Sequence, residues 1–266
     1  MEENVGLAFL LTTLAGLATA IGAGIAFFAK KTNFKMLSTA MGFSAGVMIY
    51  ISFVELFTGG YNSLVEQLGE STGAWYATSA FFAGIMITAI IDKLVPSFEN
   101  PHEFDKGSEP PESEAHYKEL YRTGIFTALV IGIHNFPEGI ATFMGTLKDP
   151  QLGVSIAIAV AVHNIPEGIA VSAPIFYATG NKKKAFWFSF LSGFAEPVGA
   201  VIAYLILRPF LSDVVVGLSF AFIAGIMVFI SFDQLLPAAQ KYGSHHRSLY
   251  GLIAGMAVMA LSLLIS

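Results

Sequence analysis

The chain has 266 residues, of which 55% are hydrophobic and only 12% charged, and its formal net charge is −5. A typical soluble domain is about 25% charged, so about half of the expected charge is missing. This deficit excludes an intrinsically disordered chain, which needs low hydrophobicity and high charge, and it argues against a single water-soluble domain. The absence of cysteine excludes disulfide frameworks and cysteine-ligated zinc, haem or iron–sulfur sites.

Long apolar blocks account for the hydrophobicity. Each block has roughly 17 to 26 residues, the length that a helix needs to cross the hydrocarbon core. Because lipid offers the backbone no hydrogen-bond partner, such blocks must be helical, and the alternating pattern of a β-barrel is absent. The sequence therefore predicts an all-α polytopic membrane protein with eight transmembrane helices, over approximately Val5–Ala29, Met36–Phe57, Ala74–Val95, Leu120–Met144, Leu152–Tyr177, Phe186–Leu207, Val214–Leu236 and Leu249–Ile265.

The distribution of lysine and arginine predicts the orientation. If eight spans alternate, the loops on one side hold 12 of the 14 basic residues, and the other side holds only Lys148 and Arg208. Cytoplasmic loops are enriched in basic residues, so we expect both termini to lie outside the cytoplasm. The first block lacks the basic region that precedes a cleavable signal, and we interpret it as a retained span.

Residues 96–118 form an acidic, proline-containing segment that is too polar for a membrane span. We interpret it as a mobile cytoplasmic loop within one membrane domain of residues 1–266. Its His102 and His116 offer a weak metal site, but a solvated linker is the favoured interpretation, as it is for His245 and His246 in a later loop.

One internal repeat joins spans two and seven. FSAGVMIYISFVEL at 43–56 matches FIAGIMVFISFDQL at 222–235 in eight of fourteen positions. The two spans cross in opposite directions, which is typical of the inverted repeats of secondary transporters, here with spans 1–3 and 6–8 around spans 4 and 5. Chance similarity between apolar helices is the alternative. The shared serine, Ser52 or Ser231, with an acidic residue close behind it, argues against chance.

A second repeat carries the chemistry. HNFPEGIA at 134–141 recurs as HNIPEGIA at 163–170, with seven of eight positions identical. A histidine stands four residues before a glutamate in each copy, so both lie on one helix face. The proline has no N–H, so we expect it to kink the helix and to release a carbonyl near this group. Together the copies offer two imidazoles, two amides and two carboxylates, from His134, Asn135, Glu138, His163, Asn164 and Glu167.

Acidic residues are in excess within the predicted spans. A carboxylate at the bilayer centre costs a few kcal/mol, so it must be protonated, reach water or bind a cation. Five acids lie at such depth without a lysine or arginine at comparable depth, and they equal the whole net charge of −5: Glu55, Glu138, Glu167, Glu196 and Asp233. A helix–helix contact is the alternative for Glu196, and a hydrated helix end is the alternative for Glu55 and Asp233.

Imidazoles with carboxylates suit tetrahedral Zn²⁺, and further oxygen ligands also suit Fe²⁺ or Mn²⁺. The paired HNxPEG units on adjacent spans, in an eight-span chain with both ends outside, resemble the ZIP (Zrt/Irt-like) metal transporters. The resemblance covers the whole chain, and the short form without a histidine-rich loop is similar to the bacterial ZupT-type members.

This resemblance implies uptake of divalent metal into the cytoplasm across the bacterial inner membrane, with the metal as substrate and no cofactor. Zn²⁺ is the expected substrate, with Fe²⁺, Mn²⁺ and Co²⁺ as further ones, because the chain has no thiolate ligand that would select a softer ion. By the resemblance, one metal position uses His134, Glu138, His163 and Glu167. A second position uses Asn135, Asn164 and Glu196, with Glu138 and Glu167 bridging.

Other acids and glycines support two further hypotheses. The predicted topology puts Glu55 toward the outer end of span two and Asp233 toward the cytoplasmic end of span seven. We expect Glu55 to attract entering cations and Asp233 to pass them inward. Close helix packing, within a protomer or in a homodimer, is permitted by the GxxxG pairs Gly42/Gly46 and Gly251/Gly255.

Rival functions explain less of the sequence. A membrane-embedded metallohydrolase needs an open metal position and a free general base, but HExxH is absent and both motif glutamates serve as ligands. An intramembrane serine protease would need a histidine outside the doubled motif. A proton-coupled transporter of an organic substrate would leave the doubled histidine and asparagine unexplained. The sequence therefore predicts a transporter and not an enzyme.

Overall fold

Helices make up nearly all of the described chain. The structure is a computed structural model, and it describes residues 4–27, 34–94, 114–207, 210 and 212–265. No strand occurs within these ranges, which confirms the all-α class. In chain order the helices are α1 (Val5–Ala26), α2 (Phe34–Ile51), α3 (Thr58–Leu68), α4 (Glu70–Leu94), α5 (Glu114–Lys148), α6 (Pro150–Thr179), α7 (Lys182–Ile202), α8 (Asp213–Ile230), α9 (Leu236–Tyr242) and α10 (His245–Ile265).

Two spans contain a wide, π-helical turn at the same point of the internal repeat. The turn Ser52–Phe57 joins α2 to α3, and the turn Ser231–Leu235 joins α8 to α9, so each pair is one continuous rod. In both turns the serine that begins the turn donates a hydrogen bond to the carbonyl four residues earlier. The bonds are Ser52 Oγ to Met48 O, 2.6 Å, and Ser231 Oγ to Met227 O, 2.7 Å. The matching sequences thus have matching local structures.

Eight long rods therefore run through the described residues: α1, α2–α3, α4, α5, α6, α7, α8–α9 and α10. By length and apolar composition, seven of them could cross a membrane. The eighth is α5, which has 35 residues but carries a polar motif unit in its middle. Because α5 packs against α1, α6, α7 and α8, its polar residues are covered by other helices. The chain is an all-α polytopic membrane protein.

The largest difference from the predicted spans follows span two. Its apolar block ends at Phe57, but the rod continues as α3 to Leu68. Gly60 lies against the carbonyl oxygen of Gly217 in α8, so here glycine permits close packing and does not break the helix. The rod ends where Gly69 has a φ of 84°, a left-handed conformation that favours glycine.

The predicted loop 96–118 ends too late. Residues 95–113, which include His102, lie outside the described residues. Residues 114–118 belong to the first turns of α5, and the backbone of His116 is helical. An apolar block marks only the part of a helix within lipid, whereas the helix itself extends until a proline or glycine interrupts it. The last such residue before α5 is Pro111.

Glycine brings five pairs of helices into backbone contact. In each pair a glycine from either helix faces a carbonyl oxygen of its partner, with no space for a β-carbon. The pairs are α1 with α6 (Gly22, Gly168), α1 with α7 (Gly16, Gly193), α5 with α7 (Gly139, Gly199), α2 with α10 (Gly46, Gly255) and α4 with α8 (Gly84, Gly225). The GxxxG pairs of α2 and α10 thus contact each other within one chain, so they give no support to a homodimer.

Three of these pairs also show the direction of the helices. The contacts advance together along α1 and α6, along α5 and α7, and along α2 and α10, so these partners run parallel. The partners in each of these three pairs are separated by an even number of crossings. This agrees with eight alternating spans that include α5.

The paired helices form two groups. We name α1, α5, α6 and α7 the motif group, because it contains both HNxPEG units, and α2–α4 with α8–α10 the flank group. The groups meet where α2 packs on α6 and α8 packs on α5. Each group contains both halves of the internal repeat, since α1/α6 corresponds to α7/α5 and α2/α10 corresponds to α8/α4.

Candidate metal site

A short hairpin sets the depth of the two motif units. α5 is followed by Asp149, and α6 begins at Pro150. The Asp149 side chain accepts a hydrogen bond from the backbone of α6 at 2.9 Å, which caps the helix. His134 stands 15 residues before Asp149 and His163 stands 14 residues after it. At a rise of about 1.5 Å per residue, both histidines lie about 20 Å from the turn.

The proline of each unit lies within its helix, and the glycine of each unit packs against a neighbouring helix. α5 continues through Pro137 and α6 through Pro166, so neither proline ends its helix. Gly139 lies against the carbonyl of Glu196 in α7, and Gly168 occupies the equivalent place against α1. The glycine after the first motif glutamate therefore brings Glu196 close to the two units.

The side chains of the two units meet in one buried cluster. His134, His163 and Glu167 each offer a ligand atom within 4.8 Å of the others. Glu138 Oε1 lies 3.4 Å from His134 Nε2 and 3.1 Å from His163 Nε2. Glu167 Oε1 lies 3.5 Å from His134 Nε2. The glutamate of each unit thus reaches the histidine of the other, and all four side chains are 1% exposed or less.

The asparagine of each unit is oriented by a neighbouring backbone. Asn135 Nδ2 donates to the carbonyl of Ser192 in α7 at 3.1 Å, and Asn164 Nδ2 donates to the carbonyl of Ala15 in α1 at 2.9 Å. Both Oδ1 atoms are buried and accept no hydrogen bond. The amide oxygens are therefore free to bind a cation.

Glu196 joins the site from α7. Its side chain is fully buried, and Oε1 accepts a short hydrogen bond from Asn164 Nδ2. Oε2 is buried without a hydrogen bond. The structure thus places Glu196 beside the second motif unit.

The partner of Glu196 in the internal repeat is a threonine. Residues 14–23 of α1 match residues 191–200 of α7 in five of ten positions, and the carbonyls of Ala15 and Ser192 both accept from a motif asparagine. Thr19 stands where Glu196 stands, and its hydroxyl is buried without a hydrogen bond. Of these two equivalent helices, α7 therefore adds a carboxylate to the two motif glutamates, whereas α1 does not.

The charge and the unpaired atoms of the site suit a cation. Within the described residues, the fully buried charged side chains are Glu138, Glu167 and Glu196, with no buried lysine or arginine among them. Each of the three glutamates has a buried carboxylate oxygen without a hydrogen bond. The Nδ1 atom of each motif histidine is also buried without a hydrogen bond. A buried charge is costly unless an opposite charge or a bound metal compensates it. Imidazole nitrogens with carboxylate and amide oxygens suit Zn²⁺, Fe²⁺ and Mn²⁺.

Glu55 and Asp233 lie away from this cluster. Each is partly buried in one of the π-helical turns, and within the described part of the chain neither shares a hydrogen bond or ion pair with a motif residue. The rod of span two ends at Leu68, 13 residues or about 20 Å beyond Glu55. Glu55 therefore lies farther from the end of its rod than the predicted span indicated, because α3 continues the helix past Phe57.

Two of the remaining histidines, both within the described residues, lie outside the cluster. His245 and His246 are exposed at the start of α10, where the His245 ring lies 3.4 Å from the Gln240 amide. Of the two histidines predicted in the acidic loop, His102 lies outside the described residues, and the side chain of His116 is not described.

Sequence reasoning missed one polar contact of the site. Ser44 in α2 donates a hydrogen bond to Glu167 Oε1 at 3.1 Å, although 123 residues separate the two. The internal repeat contained a signal, because Ile223 stands at this position in the other copy. Where one copy of a repeat has a buried serine and the other has isoleucine, the serine hydroxyl is expected to form a hydrogen bond.

Comparisons with known proteins identify the family of the chain. The ZIP zinc transporter family matches residues 92–263, which contain both motif units and Glu196. The zinc transporter ZupT of Nitratidesulfovibrio vulgaris is 56% identical over 272 residues, which are 99% of this chain and 98% of that protein. The ZupT proteins of Lysinibacillus sphaericus and Streptococcus mutans are 58% and 53% identical, over 100% of this chain and 99% of each relative. This chain therefore belongs to the ZIP zinc transporter family.

Proposed function

We propose that the chain carries Zn²⁺ into the cytoplasm through the paired site between α5 and α6. The buried cluster carries this proposal, because the glutamate of each unit reaches the histidine of the other. A divalent cation is the natural partner of this excess negative charge. Membership of a family of transporters supports transport of the metal over its use in catalysis.

The ligands divide into two adjacent positions. One holds the metal between the two imidazoles and the motif carboxylates. The other uses the free amide oxygens and the free oxygen of the α7 glutamate, with the motif glutamates bridging. Oxygen ligands that are shared between positions favour capture with easy release, as transport requires. The first set is His134, Glu138, His163 and Glu167, and the second is Asn135, Asn164 and Glu196.

The donor set favours borderline and hard ions. Fe²⁺, Mn²⁺ and Co²⁺ bind imidazole and carboxylate groups as Zn²⁺ does, so we propose them as further substrates. Cu⁺ prefers thiolate or thioether sulfur, and the chain contains no cysteine.

The orientation follows from charge. The side with 12 of the 14 basic residues faces the cytoplasm, which puts both termini outside a bacterial cytoplasmic membrane. Alternating access then requires that the motif group move against the flank group. The glycine contacts of α1 with α6 and of α7 with α5 support movement of the four helices of the motif group together.

A metallohydrolase is the alternative that uses the same ligands. Such an enzyme needs a general base beside the metal that is not itself a ligand. Glu138 lies within 3.4 Å of both histidine rings, and Glu167 offers a ligand atom within 4.8 Å of one from each histidine. These positions suit ligands and leave neither glutamate free for that role.

Uptake by the purified chain in liposomes tests this proposal. Vesicles with a zinc dye inside should show zinc entry with the wild-type chain and none without protein. Fe²⁺, Mn²⁺ and Co²⁺ should compete with this entry, and Cu⁺ should compete least. Absence of zinc entry, together with hydrolysis of an added peptide or lipid, would favour the metallohydrolase.

The number of bound zinc ions tests the second position. In Glu196→Ala, we expect the zinc content at saturation to fall from two ions per chain to one, because the histidine position keeps all its ligands. Equilibrium dialysis followed by elemental analysis measures this content. His245→Ala is the control, since its exposed ring lies outside the cluster. A content of two ions in Glu196→Ala contradicts the assignment of this ligand.

The pathway hypothesis for the two partly buried acids is tested by uptake rates. We propose that Glu55 attracts cations on the outer side and that Asp233 passes them inward. Glu55→Ala and Asp233→Ala should each slow zinc uptake several-fold at low zinc, while the zinc content at saturation stays at the wild-type value. Wild-type uptake rates in both variants would contradict the hypothesis.

A further inference from the structure

Ser44 in the flank group donates a hydrogen bond to a proposed ligand of the metal. Its Oγ donates to Glu167 Oε1 at 3.1 Å, and both side chains are about 1% exposed. In a buried site, a hydrogen bond to a carboxylate is charge-assisted and stronger than one between neutral groups.

The orientation of Ser44 is fixed by the packing of its own helix. Gly42 and Gly46 lie against the backbone of α10. Residues two apart on a helix point to opposite sides, so Ser44 faces away from α10. α6 packs on this other side of α2, and Glu167 lies there. The contact thus follows from close packing of α2 on α10.

The other copy of the internal repeat has no hydroxyl at the position of Ser44. Ile223 stands there in α8, so this position offers no hydrogen bond to the first motif unit. Glu138 instead has both histidine rings within 3.4 Å of Oε1. Glu167 has one ring at 3.5 Å and the Ser44 hydroxyl. The two motif glutamates are therefore held in different ways.

We infer that Ser44 is a positioning residue for Glu167, and that it raises the affinity of the site for divalent metal. The inference rests on the proposed function, since it assigns Glu167 as a ligand. The Ser44 hydrogen bond occupies one oxygen of the carboxylate and fixes its plane, while Oε2 is buried without a hydrogen bond. Hydrogen bonds to metal ligands orient them, and their loss typically weakens metal binding about 10- to 100-fold.

Variants of matched volume isolate the hydroxyl. Threonine keeps a hydroxyl at position 44, whereas valine has the same shape without one. We expect Ser44→Ala and Ser44→Val to weaken zinc binding by the full-length chain about tenfold, as measured by competition with a zinc-binding dye. The KM for uptake should rise by the same factor, with the maximal rate close to wild type. Ser44→Thr should retain most of the affinity.

Ser172→Ala is the control for loss of a buried hydroxyl. Ser172 is buried in α6, and its Oγ donates to Gly168 O at 2.6 Å within the same helix. We expect wild-type zinc affinity and KM for this variant. A general packing defect would lower the melting temperature in Ser44→Val and Ser44→Thr alike, whereas a positioning role separates these two in zinc affinity.

Each outcome decides one of the two claims. Equal zinc affinity and KM in wild type, Ser44→Ala and Ser44→Val would overturn the inference, and so would an equal loss in Ser172→Ala. If the wild-type chain itself moves no divalent metal, the proposed function fails, whatever the Ser44 variants do. Zinc uptake by wild type with a selective loss of affinity in Ser44→Val supports both.

Discussion

Zinc uptake should fall by at least about tenfold in Glu138→Gln. Glutamine keeps the shape of the side chain but removes the negative charge that lies within 3.4 Å of both histidine rings. Loss of a group that only orients a metal ligand costs about 10- to 100-fold in affinity, so loss of a shared ligand should cost at least as much. Initial rates of zinc entry into vesicles of equal protein content measure the effect.

Glu70→Gln is the matched control for loss of a carboxylate. Glu70 is exposed at the start of α4, outside the cluster. This variant should transport zinc at the wild-type rate. The assignment of Glu138 would be wrong if Glu138→Gln carried zinc at more than half that rate.

A methyl group on Gly168 should destabilise the fold. The β-carbon of Gly168→Ala would overlap the carbonyl oxygen of Thr19, so α1 and α6 would have to separate. Overpacking of a close contact costs about 1–3 kcal/mol, and a backbone that cannot yield puts this variant at the upper end. For a chain of this size, that corresponds to a melting temperature about 5–10 °C lower. Thermal unfolding of the purified chain in detergent measures it.

Gly24→Ala is the control for this variant. Gly24 also lies in α1, but a β-carbon there meets no atom within 4 Å. Alanine favours a helix over glycine by about 1 kcal/mol, so this change should leave the melting temperature unchanged or slightly higher. Equal stability of Gly168→Ala and Gly24→Ala would contradict the close approach of α1 and α6.

The helices and the motif cluster could be predicted because their signals are local. A block of apolar residues sets a span by its length. The spacing of His134 and Glu138 places both on one helix face without knowledge of any other helix. The second unit follows in the next span at almost the same distance from the turn at Asp149, so the two units meet wherever that hairpin packs.

Contacts between distant helices could not be predicted in this way. The hydrogen bond from Ser44 to Glu167 depends on packing of α2 against α6, which no local pattern specifies. The correspondence of Thr19 with Glu196 becomes visible only when α1 and α7 are seen to hold the two motif asparagines alike. A weak match of ten residues carries little information until the structure shows equivalent contacts.

Errors at the helix ends have a related cause. Hydropathy detects burial in lipid, but α3 continues past Phe57 because Gly60 packs on α8. The spans of α5 and α6 could be predicted although each carries buried polar residues, because the apolar residues around each motif unit outnumber them.

Anomalous diffraction at the zinc edge, from crystals of the zinc-loaded chain, tests the central claim most directly. We expect a strong peak between α5 and α6, about 2.0–2.1 Å from imidazole nitrogens of His134 and His163, with carboxylate oxygens completing the shell. Zinc peaks confined to other places, such as the exposed His245 and His246, with none between the motif units at saturating zinc, would contradict it.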